Sequence, residues 1–231
     1  MRRLFLGVVL MLLSCAAIRA QGHTVPPLQR LIDQNFEVRT LVHECSVPDA
    51  VSQLARRFHI QVGVEYPPGD CQRIRTKAPR GGEVINLLGL SIAEALERLT
   101  AMDGRYRWIE HDGVIVMRPV NAWGDRSNIL NFTTTSFALE NVNLGGALDA
   151  VMSAVIGKPK SGGELLARGT KQGARTFSVK TGPTSVGGAL DAIVRAHGDL
   201  WWQVLDFGDK RMIFFYTFDE SGLGIPVGRI P

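Results

Sequence analysis

One pattern of polar and apolar positions recurs four times along the chain. A polar residue is followed by an aliphatic, two variable positions, an alanine, another aliphatic, and a further apolar residue three on. It reads 46-SVPDAVSQL-54, 91-SIAEALERL-99, 143-NLGGALDAV-151 and 185-SVGGALDAI-193. Each copy opens on Ser46, Ser91, Asn143 or Ser185, types whose side-chain oxygen satisfies an orphan N–H at a helix start. Pro48 falls near the first turn, where its missing N–H costs little. Val47, Ala50, Val51 and Leu54 then repeat at i, i+3, i+4, i+7, one buried stripe, and Ile92, Ala95, Leu96 and Leu99 do the same.

Strand patterns flank each predicted helix. Before them lie 37-EVRTLV-42, 83-EVINLL-88, 136-SFALENV-142 and 176-TFSVKT-181; after them lie 58-FHIQVGVEY-66, 105-RYRWIEH-111 and 200-LWWQVLDF-207. Two closing strands, 113-GVIVMRP-119 and 211-RMIFFYTF-218, follow Asp112-Gly113 and Gly208-Asp209, which are hairpin signals. The predicted unit is β-α-β followed by β-α-β-β, and it occurs twice. A shift of 94 carries 91-SIAEALERLTAMDGRYRW-108 onto 185-SVGGALDAIVRAHGDLWW-202, aligning Gly104 with Gly198 and Trp108 with Trp202. Self-similarity of this kind organises a fold. The expected class is α+β, as two tandem small domains related by an internal repeat. Domain one spans 36–120 and domain two 136–218, with an extension at 21–35, a linker at 121–135 and a tail at 219–231.

The triplet His197-Gly198-Asp199 reads first as a helix end. It occupies the frame of Asp103-Gly104, so both glycines are expected as left-handed caps, with His197 suiting the helix dipole. Trp201 and Trp202 open the next strand, one facing in and one facing out. The competing reading is an enzyme site around His197 and Asp199.

The phrase 84-VINLLGLSIAEALERLTAMDGRYRWIEHDGVIVMRP-119 resembles the secretin and TonB N-terminal short (STN) domain. There a strand runs into Ser-aliphatic-x-x-Ala-Leu, a helix, a glycine, and a hairpin closing on a pair like Arg118-Pro119. The stretch 36-FEVRTLVHECSVPDAVSQLARRFHIQVGVEY-66 is similar to the front half of that domain, and residues 130–218 follow through the repeat. The resemblance implies an envelope module that binds other proteins within a secretion, pilus or TonB-type receptor assembly. Only 13 residues follow Phe218, so a stand-alone accessory protein is expected rather than a receptor or channel.

The chain start agrees with export. Arg2 and Arg3 precede the apolar run 4-LFLGVVLMLL-13 and the small residues of 14-SCAAIRA-20, the layout of a signal peptide. Cleavage after Ala20 is one reading. The other takes 12-LLSC-15 as a lipobox, making Cys15 an acylated first residue and the protein an outer-membrane-anchored lipoprotein rather than a free periplasmic one. No later run approaches eighteen apolar residues, so no transmembrane segment is expected in the mature chain. Removing the three arginines of residues 1–20 from 26 basic residues leaves 23 against 22 acids, a net charge of about +1. That balance carries no whole-molecule footprint for nucleic acid.

Cys45 and Cys71 remain. In an oxidising compartment two cysteines favour one disulfide, closing a loop of about 27 residues and stabilising by roughly 3–4 kcal/mol. The alternatives are a reactive thiol or a metal site with His43, although the spacing fits no zinc pattern.

Candidate chemistry is sparse. His23, His43, His59, His111 and His197 are scattered, and no H-E-x-x-H, G-x-S-x-G or phosphate-binding glycine loop is present. No catalytic, cofactor-binding or metal-ligating residue is expected, and no cofactor. Two basic connections are candidate anion contacts: Arg73, Arg75, Lys77 and Arg80 in domain one, and Lys158, Lys160, Arg168, Lys171 and Arg175 at the equivalent place in domain two. Solubilising surface charge is the plainer reading of both. The function expected is non-enzymatic protein–protein contact through an exposed strand edge. Rival expectations are the His197/Asp199 enzyme and a small-ligand carrier with an interdomain cleft lined by Trp123 and Trp201.

Overall fold

Four helices form where the repeated phrase places them: α1 (Ser46–Phe58), α2 (Ile92–Met102), α3 (Leu144–Ala154) and α4 (Val186–His197). The computed structural model describes residues 26–33, 36–39, 45–68, 84–156, 166–168, 175–206 and 211–218. Residues 1–20, expected as an export signal, and most of both basic loops lie outside them. Three of the four helices start as expected. Ser91 and Glu94 form a reciprocal capping box, with Glu94 N–H donating to Ser91 Oγ and Ser91 N–H to the Glu94 carboxylate at 2.7 Å. Asn143 accepts from Gly146 N–H at 2.9 Å and Ser185 from Gly188 N–H at 3.0 Å. In the first copy Cys45 takes the cap position instead, and Ser46 is already helical and buried.

The predicted stripes are the buried ones: Val47, Ala50, Val51 and Leu54 on α1, and Ile92, Ala95, Leu96 and Leu99 on α2. Helix ends divide the two halves. Gly198 caps α4 with φ of 84°, left-handed as expected. Gly104 does not take a positive φ, which corrects the expectation of a matching glycine cap. Asp103 turns the chain there with its side chain: the buried carboxylate accepts from Arg105 N–H and the Arg105 guanidinium. That hydrogen bonding holds the Asp103 carboxyl below its ordinary range.

The strands are β1 (Glu37–Arg39), β2 (Val62–Glu65), β3 (Val84–Asn86), β4 (Tyr106–His111), β5 (Val114–Pro119), β6 (Thr133–Thr134), β7 (Phe137–Val142), β8 (Leu166–Arg168), β9 (Phe177–Thr181), β10 (Thr184–Ser185), β11 (Leu200–Asp206) and β12 (Arg211–Thr217). β1–β3, β7–β9 and β6–β10 are small antiparallel pairs. The rest form one six-stranded sheet, in the order β4-β5-β2-β11-β12-β8. Its hairpins β4–β5 and β11–β12 are antiparallel, and β5–β2, β2–β11 and β12–β8 are parallel. The chain is thus a mixed α+β protein, and among the described residues the two halves contribute to one sheet rather than closing one each.

That sheet is covered on both faces. Val62, Val64, Ile115, Met117, Trp201, Leu205 and Phe214 share a core with α1 and α2. Val114, Val116, Trp202, Val204, Ile213 and Phe215 share the other core with α3 and α4. Both tryptophans are therefore buried, which corrects the expectation that one faces outward: a strand roofed on both sides has no wet face. At the β2–β11 junction Trp202 lies over Gly63, where an added Cβ would meet the indole at 2.1 Å. Only glycine leaves room for that ring.

Two segments expected outside the domains are part of the fold. Ile32 of the N-terminal extension is fully buried and pairs with the approach to α2, its N–H donating to Leu90 O at 2.8 Å. The expected linker carries a short turn at Ile129–Asn131 and β6, and Leu130 is buried against α4.

Candidate functional site

The β4–β5 hairpin forms one end of the six-stranded sheet. Its turn residues Asp112 and Gly113 take φ of 51° and 84°, the double left-handed turn that Asp-Gly favours. That two-residue turn makes His111 and Val114 the closing pair. His111, Ile109 and Arg107 then bond inward to β5, and Glu110 and Trp108 direct their backbone groups away from it. Among the described residues no strand pairs with that outer edge. Arg107, Glu110 and His111 are exposed, and Ile109 is 37% exposed.

Two polar clusters brace this hairpin. At its base Arg118 on β5 is buried and donates from Nε to Glu65 on β2 at 2.6 Å. Asn128 also donates to Glu65, while Arg118 donates to Asn131 at 2.8 Å and Ala122 O at 3.1 Å. Asn131 in turn donates to Ala122 O and Asp125 O, folding 122–131 into a clasp over the pair. The Arg107 and Arg118 guanidiniums each lie 4.9 Å from the centre of the Trp123 ring. At its tip, His111 Nδ1 is 3.3 Å from Asp191 on α4, and Trp202 Nε1–H donates to the same carboxylate at 2.9 Å. Burial pushes the Asp191 carboxyl up to about 6, against the opposing pull of Trp202, His111 and Arg195. Arg195 of α4 closes the contact with a 2.7 Å ion pair to Asp112.

The candidates from sequence are dispersed. Cys45 is fully buried at the start of α1; Cys71 and Cys15 lie outside the described residues. Of the basic candidates, Arg73, Arg75, Lys77, Arg80, Lys158, Lys160 and Lys171 also lie outside them. Arg168 falls in β8, and Arg175 is exposed beside β9. His197 is 3% exposed and packs edge-on against Phe177 at 5.4 Å, and its Nδ1 has no hydrogen-bond partner. Burial foremost, and Arg175 next, push its pKa down. It stands in the last turn of α4 as expected, and its place there is interior. Trp123 packs with the α3/α4 core and Trp201 lies in the α1/α2 core, so the sheet separates the two residues expected to line one cleft.

Sequence reasoning passed over Glu65, Asn128 and Asp191, and took Arg118 only as part of the pair that closes a hairpin. The signal was a charge set inside apolar runs, as in 62-VGVE-65 and 114-VIVMR-118. Among the described residues no group of three or more His, Cys, Asp and Glu could hold a metal, and no helix is long and apolar enough to cross a membrane. Comparison with family models, with curated proteins and with solved structures finds no match to this chain.

Proposed function

We propose that the chain is an exported cell-envelope protein built from two STN-like copies, accessory to a secretion, pilus or TonB-type receptor assembly. It works without catalysis, by taking an extended strand of a partner protein onto β4. The outer edge of β4, with which no described strand pairs, carries this reading, since a row of N–H and C=O groups left without a ladder is a template for strand addition. The brace beneath it supports the same reading: the Glu65–Arg118 pair and the 122–131 clasp fix the hairpin before any partner arrives, lowering the ordering cost of binding. The copy relation is supported by corresponding elements, each half having two helices, an antiparallel small pair and a hairpin with a parallel third strand. A Cys45–Cys71 disulfide belongs to the proposal, and intact mass before and after reduction with thiol trapping reads it directly.

Affinity capture from envelope extract tests the docking. Glu110→Pro removes an outward N–H and leaves the β5 ladder intact. The wild type is expected to retain a partner that Glu110→Pro loses at unchanged melting temperature. An identical set of captured proteins for both contradicts strand addition at β4.

A further inference from the structure

The order of the six-stranded sheet repeats itself. β4-β5-β2 and β11-β12-β8 are each an antiparallel hairpin whose second strand takes a parallel third. Trp108 and Trp202 hold corresponding places, opposite Met117 and Phe215. The second triplet runs its strands in the opposite sense and turns its helices to the opposite face. One operation produces both changes: a half-turn about the line across the strands, with a shift along that line. Where the triplets meet, the outer edge of β2 joins the outer edge of β11 in parallel, Trp202 opposite Gly63, with Tyr66 N–H donating to Val204 O at 2.9 Å.

A head-to-tail operation of this kind does not close after two units. It leaves one edge of each kind at the ends of the sheet. β4 presents the edge that β11 uses inside the molecule, and β8 presents the edge that β2 uses. Both are terminal strands among the described residues.

We propose that the occupant of the β4 edge is β8 of a second copy of this chain, repeating between molecules the β2–β11 junction found within one. The inference rests on the docking reading above, names its partner, and follows the continuity of an interface already present. It also fixes a register. Val62 lies opposite Ile115 and Ala167 opposite Ile213, the positions that pair with Glu110 and Val204. Ala167 thus stands where Val62 does. Arg168 comes opposite Trp108 where the inner junction sets Gly63 opposite Trp202, so the half-buried Trp108 ring must turn aside as the strand arrives, which the fully buried Trp202 ring cannot do. Each added copy leaves again one β4 and one β8 edge, so growth is linear and concentration-dependent.

Sedimentation velocity and native mass spectrometry of the full mature chain over a range of concentrations test this. The wild type is expected to populate multiples of the single-chain mass as concentration rises. Glu110→Pro blocks one edge and Ala167→Pro the other, so each variant alone stays monomeric. Mixed in equal amounts they form a one-to-one dimer that grows no further, because each supplies the edge the other lacks. A wild type that stays monomeric to about 1 mM overturns the proposal, that being the weak end of specific association. An Ala167→Pro variant that dimerises alone, as a symmetric β4–β4 contact would, also overturns it, and so does a mixture that stays monomeric. Hydrogen exchange on the wild type keeps the test independent of the variants' folding. The Trp108 and Glu110 amides should exchange at least about tenfold more slowly at high concentration than at low, and unchanged rates contradict the pairing. A monomeric wild type whose envelope partner is still lost on Glu110→Pro leaves strand addition standing and removes only self-pairing.

Discussion

Glu65 and Asp191 are both carboxylates sunk on the α3/α4 side of the same sheet, and they are held in opposite ways. Glu65 is 2% exposed and accepts from the Arg118 guanidinium on one oxygen and from the Asn128 amide N–H on the other. Asp191 is 3% exposed and faces an uncharged indole N–H and the half-exposed ring of His111. The first site is fixed by geometry and an ion pair. The second depends on a proton, because burial of a carboxylate with weak partners favours its neutral form. Asp191 joins α4 to the β4–β5 hairpin, so this one of the contacts between the halves is expected to respond to pH.

Breaking the Glu65 site should cost most. Glu65→Gln leaves the Arg118 charge buried without a counter-charge, and removing one partner of such a pair typically costs about 3–5 kcal/mol. The denaturant midpoint should fall accordingly. Adding Arg118→Met should recover much of the loss, because the orphaned charge then goes too. A single variant with the wild-type midpoint would show that water reaches Arg118.

Asp191→Asn sharpens the comparison through pH. The folded carboxyl titrates near 6, above its ordinary value of 3.8. Its proton therefore stabilises the fold fully below about pH 4, and that contribution is lost as pH rises through about 6. Asn keeps the acceptor for Trp202 and cannot ionise. The variant should match the wild type near pH 4 and exceed it above pH 6.5, by at most about 3 kcal/mol. His111→Ala should move the wild-type midpoint upward, because the ring's hydrogen bond and charge hold it down. Parallel pH–stability curves for wild type and Asp191→Asn would remove the proton from the account.

The smallest effect separates the two helix ends. Neither Gly104 nor Gly198 has an atom within 4 Å of where a Cβ would stand, so only backbone conformation distinguishes them. Gly198→Val should cost about 1–2 kcal/mol of left-handed strain, and Gly104→Val should cost less. Equal melting temperatures for the two variants would contradict the different φ values.

Much of this architecture is legible in the residues, and what is not has a physical cause. Helix starts at Ser91, Asn143 and Ser185 and the stripes below them are local, so spacing alone reveals them. The shared sheet is not local. A strand's own pattern does not name its neighbour, although the non-alternating stretches 62-VGV-64 and 114-VIVM-117 already indicate burial on both faces. The polar clusters join residues 53, 63 and 80 apart, so each charge looked isolated in the sequence. Gly104 and Gly198 align letter for letter yet differ in backbone, because the side chain of Asp103 turns the chain at the first site and Gly198 itself turns it at the second.

The central claim is that both halves share one sheet through the β2–β11 junction, and amide hydrogen exchange on Gly63→Val in the full chain tests it most directly. A side chain at Gly63 must displace the Trp202 ring, so an effect confined to one half has no place in this arrangement. The account predicts that the amides of β11 and β12 lose protection together with those of β2 and β5. Wild-type protection throughout β11 and β12, with loss limited to the first half, would contradict it.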